Sequence, residues 1–98
     1  NRLVLFSASC SMSAASNNQV VSLKGWHYDD SGTSGSLVTA SLVSRKITAS
    51  GELGAVVVQG SALMSVNDYL EIHVTNETTT AAVTVDDFNF QAFALPTV

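Results

Sequence analysis

The chain has 98 residues and a mass of 10.2 kDa, which is the size of one small domain. Apolar residues make up 46% of it and charged residues 12%, so the composition predicts a packed core and excludes an intrinsically disordered chain. The formal net charge of −4 and the pI near 4.7 exclude the basic surface that binding to nucleic acid requires. We therefore expect one folded domain without a nucleic-acid partner.

Membrane insertion and disulfide stabilisation are not expected either. Apolar stretches such as Leu3–Phe6 and Ala55–Val58 are far shorter than the roughly 18 to 20 residues that cross a bilayer. Cys10 is the only cysteine, so it has no partner for an internal disulfide. A domain of this size must then gain its stability from packing or from assembly with other chains.

Six extended segments follow one another along the chain. The first, Arg2–Ala14, alternates apolar and serine residues from Phe6 onward, which is typical of a half-buried strand. Cys10 has the apolar parity there, so we expect a buried thiol. The other five are Gln19–Tyr28, Leu37–Ser50, Ala55–Ala62 leading into Leu63 and Met64, Tyr69–Thr75, and a last strand from Val83 to Ala94.

Interruptions of the alternation predict bulges and turns. The alternation slips near Val43 and changes parity at Asp86 and Asp87, so we expect one bulge at each place. The polar segments 29–36 and 76–80 predict a loop and a hairpin loop. Because 55–62 has apolar residues on both parities, we expect that strand to be covered on both faces.

Evenly spaced strands joined by short polar turns predict an all-β fold. The strand count and spacing favour an antiparallel sandwich or barrel, and we expect a jelly-roll β-sandwich with residues 1–98 as a single domain. A parallel sheet would need crossover helices, and no window has a helical apolar stripe.

The segments 44–61 and 66–78 resemble the small jelly-roll modules of the tumour necrosis factor and complement globular-head type found in bacteriophage virion proteins. Asn67 and Asp68 match the turn of that pattern, and Tyr69, Glu71 and Val74 match the strand that follows it. The likeness extends from about Phe6 to Leu95 and concerns strands and turns. It implies a homotrimer mounted on a capsid, fibre or tail, in contact with other virion proteins and located at the particle surface.

Large side chains on outward positions are candidates for the subunit interface. Each lies among polar neighbours of the same parity, a mixture that is typical of protein interfaces. The interface candidates are Trp26, Tyr28, Tyr69, His73, Phe93 and Leu95.

The sequence supports metal binding and catalysis less well than a subunit interface. His27 and His73 lack the fixed spacing of a zinc site, although copies of His73 could converge on a threefold axis. The acidic pairs 29–30 and 86–87 could bind calcium but lack EF-hand spacing and resemble solvated turns. No Gly-x-Ser-x-Gly motif occurs among the many serines. We therefore predict no catalytic residue, no metal site, no cofactor and no enzymatic activity.

A glycan site is the alternative functional hypothesis. Trp26 and Tyr28 could form an aromatic platform beside the polar groups of Asp29 and Asp30, as carbohydrate sites do. The sequence thus predicts a structural module of a virion, with a receptor- or glycan-binding tip of the same fold as the alternative.

Overall fold

The computed structural model describes residues 2–29, 32 and 34–96. Six β-strands make up most of this part of the chain, which confirms the all-β prediction. Among these residues no helix has the length and apolar character needed to cross a membrane. The strands are β1 (Arg2–Ala14), β2 (Gln19–Tyr28), β3 (Gly35–Ile47), β4 (Gly54–Met64), β5 (Tyr69–Asn76) and β6 (Val83–Ala94).

The strands form two three-stranded antiparallel sheets that face each other in a sandwich-like arrangement. Sheet 1 has the order β4-β1-β6 and sheet 2 the order β3-β2-β5. Only β2 and β3, among the strands described, follow each other within one sheet. Every other connection passes from one sheet to the other.

The connection between β5 and β6 therefore differs from the predicted hairpin loop. The segment 76–80 carries the chain from sheet 2 to sheet 1. The Asn76 side chain directs this path, because its Oδ1 accepts hydrogen bonds from the backbone N–H groups of Thr78 and Thr79. Its Nδ2 donates to the carbonyl of Ala81 and holds the far end of the connection.

The core lies between the inner faces of the two central strands and β4. The alternation predicted for β1 is confirmed, because every second residue from Phe6 to Ala14 is buried. The strongly buried cluster consists of Ala8, Cys10, Met12, Ala14, Val21, Leu23, Ile47, Val56 and Val58.

Strand β4 is not covered on both faces as predicted. Val56 and Val58 are buried, but Val57 between them is 56% exposed and Leu63 is also exposed. The strand does carry apolar residues on both faces, yet no described element packs on the outer face of sheet 1. The prediction was wrong because apolar residues on both faces of a strand do not require that both faces be covered.

Both predicted bulges are present, one at the predicted residue and the other a few residues before Val43. Ser11 pairs with Asp87 and Met12 with Val85, so Asp86 is the extra residue in β6. In β3 the register shifts between Leu37 and Leu42, so the bulge ends directly before Val43. Ala40 adopts a φ of 63° inside that bulge, a left-handed conformation for which alanine gives no sequence signal.

Strand β3 also begins earlier than the predicted loop allowed. The backbone N–H of Asp29 donates to the carbonyl of Ser34 at 3.0 Å, so β2 and β3 are joined directly at the end of β2. Tyr28 and His27 then pair with Gly35 and Ser36. The hairpin between β2 and β3 is tighter than the polar composition of 29–36 suggested.

Candidate assembly surfaces

A long row of exposed apolar side chains lies on β6, an edge strand of sheet 1. Every residue of β6 after Val83 is exposed, although the strand is rich in apolar side chains. Phe88 is 51% exposed and Phe90 is 39% exposed. An exposed apolar edge of this length invites association with another polypeptide.

The register with β1 places this apolar row on the inner side of the sandwich. Phe88 pairs with Cys10 and Phe90 with Ala8, and both of these β1 residues are buried. Directly paired residues of an antiparallel sheet point to the same face. The phenylalanines therefore point toward the interior of the sandwich, at a place where the interior is open.

Sheet 2 is open on the same side. Strands β3 and β4 approach each other closely and close one side of the sandwich, whereas β5 and β6 show no comparable approach. Ile72 and Val74 of β5 pack against the core, and Leu70 is also only half buried. The inward-facing side chains of β5 and β6 form what we term the open flank, namely Leu70, Ile72, Val74, Val83, Val85, Phe88, Phe90, Ala92 and Ala94.

A cleft of about 340 Å³ lies within this open flank. Leu70 lines it from β5, and Phe90 and Ala92 line it from β6. The Phe90 ring also meets the edge of the buried Phe6 ring, with centroids 6.3 Å apart. The cleft is thus continuous with the hydrophobic core and is not a separate surface depression.

The aromatic interface candidates of β2 and β5 lie together on the outer face of sheet 2. The Trp26 ring stacks on the His73 ring with centroids 5.3 Å apart, and Tyr28 stacks on Tyr69 at 5.1 Å. The Lys24 ammonium group lies 6.0 Å from the centre of the Trp26 ring. The structure therefore brings four of the six candidates into two adjacent ring pairs, whose stacked faces are covered within the chain.

The other two interface candidates lie on sheet 1. Phe93 pairs with Leu5, whose parity is opposite to that of the buried β1 residues, and it is 61% exposed. Leu95 follows the end of β6, and its backbone N–H donates to the carbonyl of Leu3 at 2.9 Å. The six candidates therefore belong to two separate surfaces, on opposite sheets.

The two histidines each meet a different carboxylate. His27 Nε2 lies 3.0 Å from Asp68 Oδ2, and His73 Nε2 lies 2.9 Å from Glu71 Oε1. Within the described ranges no three His, Cys, Asp or Glu side chains form a group that could hold a metal ion. Asp30, which was considered as a calcium ligand and belongs to the glycan hypothesis, falls outside the described residues.

Asp68 anchors the turn between β4 and β5. Its Oδ2 accepts a hydrogen bond from the Ser65 N–H at 2.9 Å, and its own N–H donates to the Ser65 carbonyl at 3.1 Å. Asn67 has a φ of 70°, as the predicted Asn-Asp turn requires. The Ser65 N–H and the His27 ring hold the pKa of Asp68 below its usual range.

Cys10 is buried as predicted. Burial raises the pKa of its thiol, because removal from water disfavours the thiolate. A nucleophilic cysteine needs a lowered thiol pKa, because the thiolate is the reactive form. The surroundings of Cys10 are those of a small apolar side chain in a core.

Sequence reasoning missed the open flank. The alternation of β6 does place Phe88 and Phe90 on the inner face, but inward parity suggests burial and gives no hint of exposure. What exposes them is that β6 lies at an edge of its sheet where β5 does not approach it as closely as β3 approaches β4. The one available signal is that Phe93 and Leu95 add apolar side chains on the opposite parity, which a fully solvated outer face would not need.

The chain matches no protein-family model, and comparisons with curated proteins and with solved structures gave no significant match.

Proposed function

We propose that the chain is a non-enzymatic structural protein of a virion, a homotrimeric jelly-roll module that decorates a capsid or forms part of a fibre or tail. The observation that carries the need for assembly is the open flank. Phe88 and Phe90 continue the core outward, yet the described part of the chain leaves them 51% and 39% exposed. A small domain without a disulfide gains stability when a partner covers such a surface.

The winding of the chain supports the jelly-roll assignment. The orders β4-β1-β6 and β3-β2-β5 put strands that are consecutive in the chain at corresponding positions of the two sheets. Alternation of successive strands between two facing antiparallel sheets is the winding from which jelly rolls are built. The virion location and the contact with other virion proteins follow from the resemblance of 44–61 and 66–78.

The surroundings of the polar side chains support a role without catalysis. A serine hydrolase needs a histidine within hydrogen-bond reach of the nucleophile. Here the serines at 7, 9, 11 and 13 lie on the outer face of sheet 1, whereas His27 and His73 belong to sheet 2, so these serines have no histidine within reach. The arrangement stabilises strands and a turn.

Two measurements test the proposal. The mass of the purified chain at micromolar concentration, by light scattering after size-exclusion chromatography, should be three times 10.2 kDa. A stable monomer would contradict the trimer. An image reconstruction of particles from the same source should then contain trimeric density of this size at the surface, and density elsewhere or none would contradict the virion role.

A further inference from the structure

We propose that the open flank is the surface through which copies of this chain meet, with a second copy as its occupant. The inference rests on the proposed function, since it names the contact that makes the trimer. It differs from the sequence-based expectation, which placed the interface on the outward aromatic side chains. In the assembly, Phe88 and Phe90 of each copy lie against the flank of its neighbour.

The area of the open flank suits such a contact. A phenylalanine side chain buries about 150–250 Å², so the exposed fractions of Phe88 and Phe90 leave on the order of 200 Å² of ring surface uncovered. Exposed Val85, Ala92 and Ala94 extend the same row. The apolar total is on the order of 400 Å², about half of the roughly 800 Å² that each partner buries in a standard interface. The backbone of the two edge strands can supply much of the remainder.

The charge distribution makes the open flank the surface where a second copy would meet the least repulsion. The whole chain carries a formal charge of −4, so most contacts between copies would bring like charges together. The inward-facing side chains of the open flank carry no charge, which is the depletion found in the centres of protein interfaces. The carboxylate that lines the cleft, Asp68, is already bonded to Ser65 and His27.

The alternative surface is already satisfied within the chain. Trp26 stacks on His73, and Tyr28 stacks on Tyr69, so each ring has a covered face before any partner binds. Phe88 has a looser neighbour, with its ring centroid 6.5 Å from that of Phe90 at a tilted angle. A partner therefore gains more newly buried apolar surface at the open flank than at the outer face of sheet 2.

Matched substitutions on one strand test the inference. Phe88→Asp places a charge on the open flank, and Asn89→Asp places the same charge one residue away on the outer face of sheet 1. At concentrations where the unaltered chain is fully trimeric, we expect F88D to lose the trimer and N89D to keep it. Trp26→Ser, which removes one ring from the outer face of sheet 2 and does not touch the cleft of the open flank, should also keep the trimer.

The outcomes separate this inference from the proposed function. A trimer that survives F88D but is lost in W26S overturns the inference and leaves the trimeric module in place. A monomeric unaltered chain overturns the trimer itself, and the open flank would then belong to another occupant, such as further strands of a longer polypeptide. In an eight-stranded jelly roll, two strands would lie at that position.

Hydrogen exchange gives a second readout that does not depend on whether F88D folds. In an antiparallel edge strand, alternate N–H groups point away from the neighbouring strand. For the unaltered chain we expect these β6 amides to gain protection as the protein concentration rises through the assembly range. Protection that stays constant while the trimer forms would overturn the inference.

Discussion

The ring of Phe6 in β1 fills the space directly above Gly25 in β2. A methyl group built on Gly25 would lie 2.5 Å from Cζ of that ring, and one built on Gly60 would lie 2.8 Å from the same atom. Phe6 is only 4% exposed, so the ring has little room to move. Glycine at 25 and 60, one in each sheet, thus makes space for the largest side chain of the core.

Gly25→Ala should destabilise the fold by about 1–3 kcal/mol, the usual cost of overpacking a core. Urea unfolding followed by fluorescence measures it. The matched control is Phe6→Leu with Gly25→Ala, because leucine lacks the ring atoms that the new methyl group would meet. The alanine should therefore cost much less in the F6L background, and an equal cost in both backgrounds would contradict the proposed contact.

Ser41 compensates for the bulge in β3. The register passes from Lys24–Leu42 to Trp26–Leu37, which leaves Gly25 without a ladder partner in β3. The Ser41 hydroxyl accepts a hydrogen bond from the Gly25 N–H at 3.1 Å and donates to the Val38 carbonyl at 2.7 Å. Ser41 is fully buried, so water cannot replace it.

Ser41→Ala should consequently cost about 1–3 kcal/mol, because it leaves a buried backbone N–H without a partner. Ser44→Ala, three residues along the same strand and exposed, serves as the control and should change stability by less than about 0.5 kcal/mol. Equal free energies of unfolding for S41A and the unaltered chain would show that the bulge does not depend on this hydroxyl.

Local pattern was enough to predict the strands and the position of one bulge. The alternation of β1 and the parity change at Asp86 can each be recognised from residues that are adjacent in the sequence, and both are confirmed. The position of the bulge around Ala40 could not be found in this way. It depends on a hydroxyl from Ser41 reaching across to Gly25, and a buried serine looks like any other serine in a sequence.

The candidate surfaces also depend on contacts that local sequence pattern cannot predict. Parity predicted outward positions for Trp26 and Tyr69, and both lie on the outer face of sheet 2, whereas the register with β1 puts Phe88 on an inner face. It could not tell which strand would lie at the edge of its sheet. Sheet order is decided by pairing between distant segments, such as β1 with β6, and that order determines whether an inward side chain becomes buried or exposed.

The connection between β5 and β6 depends on a buried amide. Gln19, 4% exposed, accepts hydrogen bonds through Oε1 from Asn76 Nδ2 at 3.0 Å and from Thr79 Oγ1 at 2.6 Å. Its Nε2 donates to the Asn17 carbonyl at 2.8 Å. One side chain therefore joins the β1–β2 turn to the segment that crosses between the sheets.

Gln19→Met keeps the approximate volume and removes every one of these bonds. We expect a loss of about 1–3 kcal/mol, because the polar partners lose their buried acceptor and donor. The amides of Thr78 and Thr79 should also exchange faster as the connection loosens. Thr80→Ala, at an exposed position of the same segment, is the control, and unchanged exchange in Q19M would contradict the role given to the amide.

The turn between β4 and β5 should weaken in acid. The Ser65 N–H, and after it the His27 ring, lower the pKa of Asp68 below its ordinary value of 3.8. A carboxyl whose pKa is lower in the folded state than in the unfolded state contributes stability above the unfolded value and loses it as the pH falls through the folded value. Stability from Asp68 is therefore fully present near neutral pH and declines as the pH falls below about 4.

Asp68→Asn isolates this contribution, because the amide oxygen can still accept from the Ser65 N–H but carries no charge. At pH 6 the variant should be less stable than the unaltered chain, and the difference should shrink as the pH is lowered below 4. Urea midpoints of both proteins between pH 2.5 and 6, with pH values chosen about half a unit apart, would measure it. Asp87→Asn is the matched control, since Asp87 is an exposed strand residue of β6. If the D68N difference were constant over this range, the His27 and Ser65 contacts would not favour the ionised carboxylate.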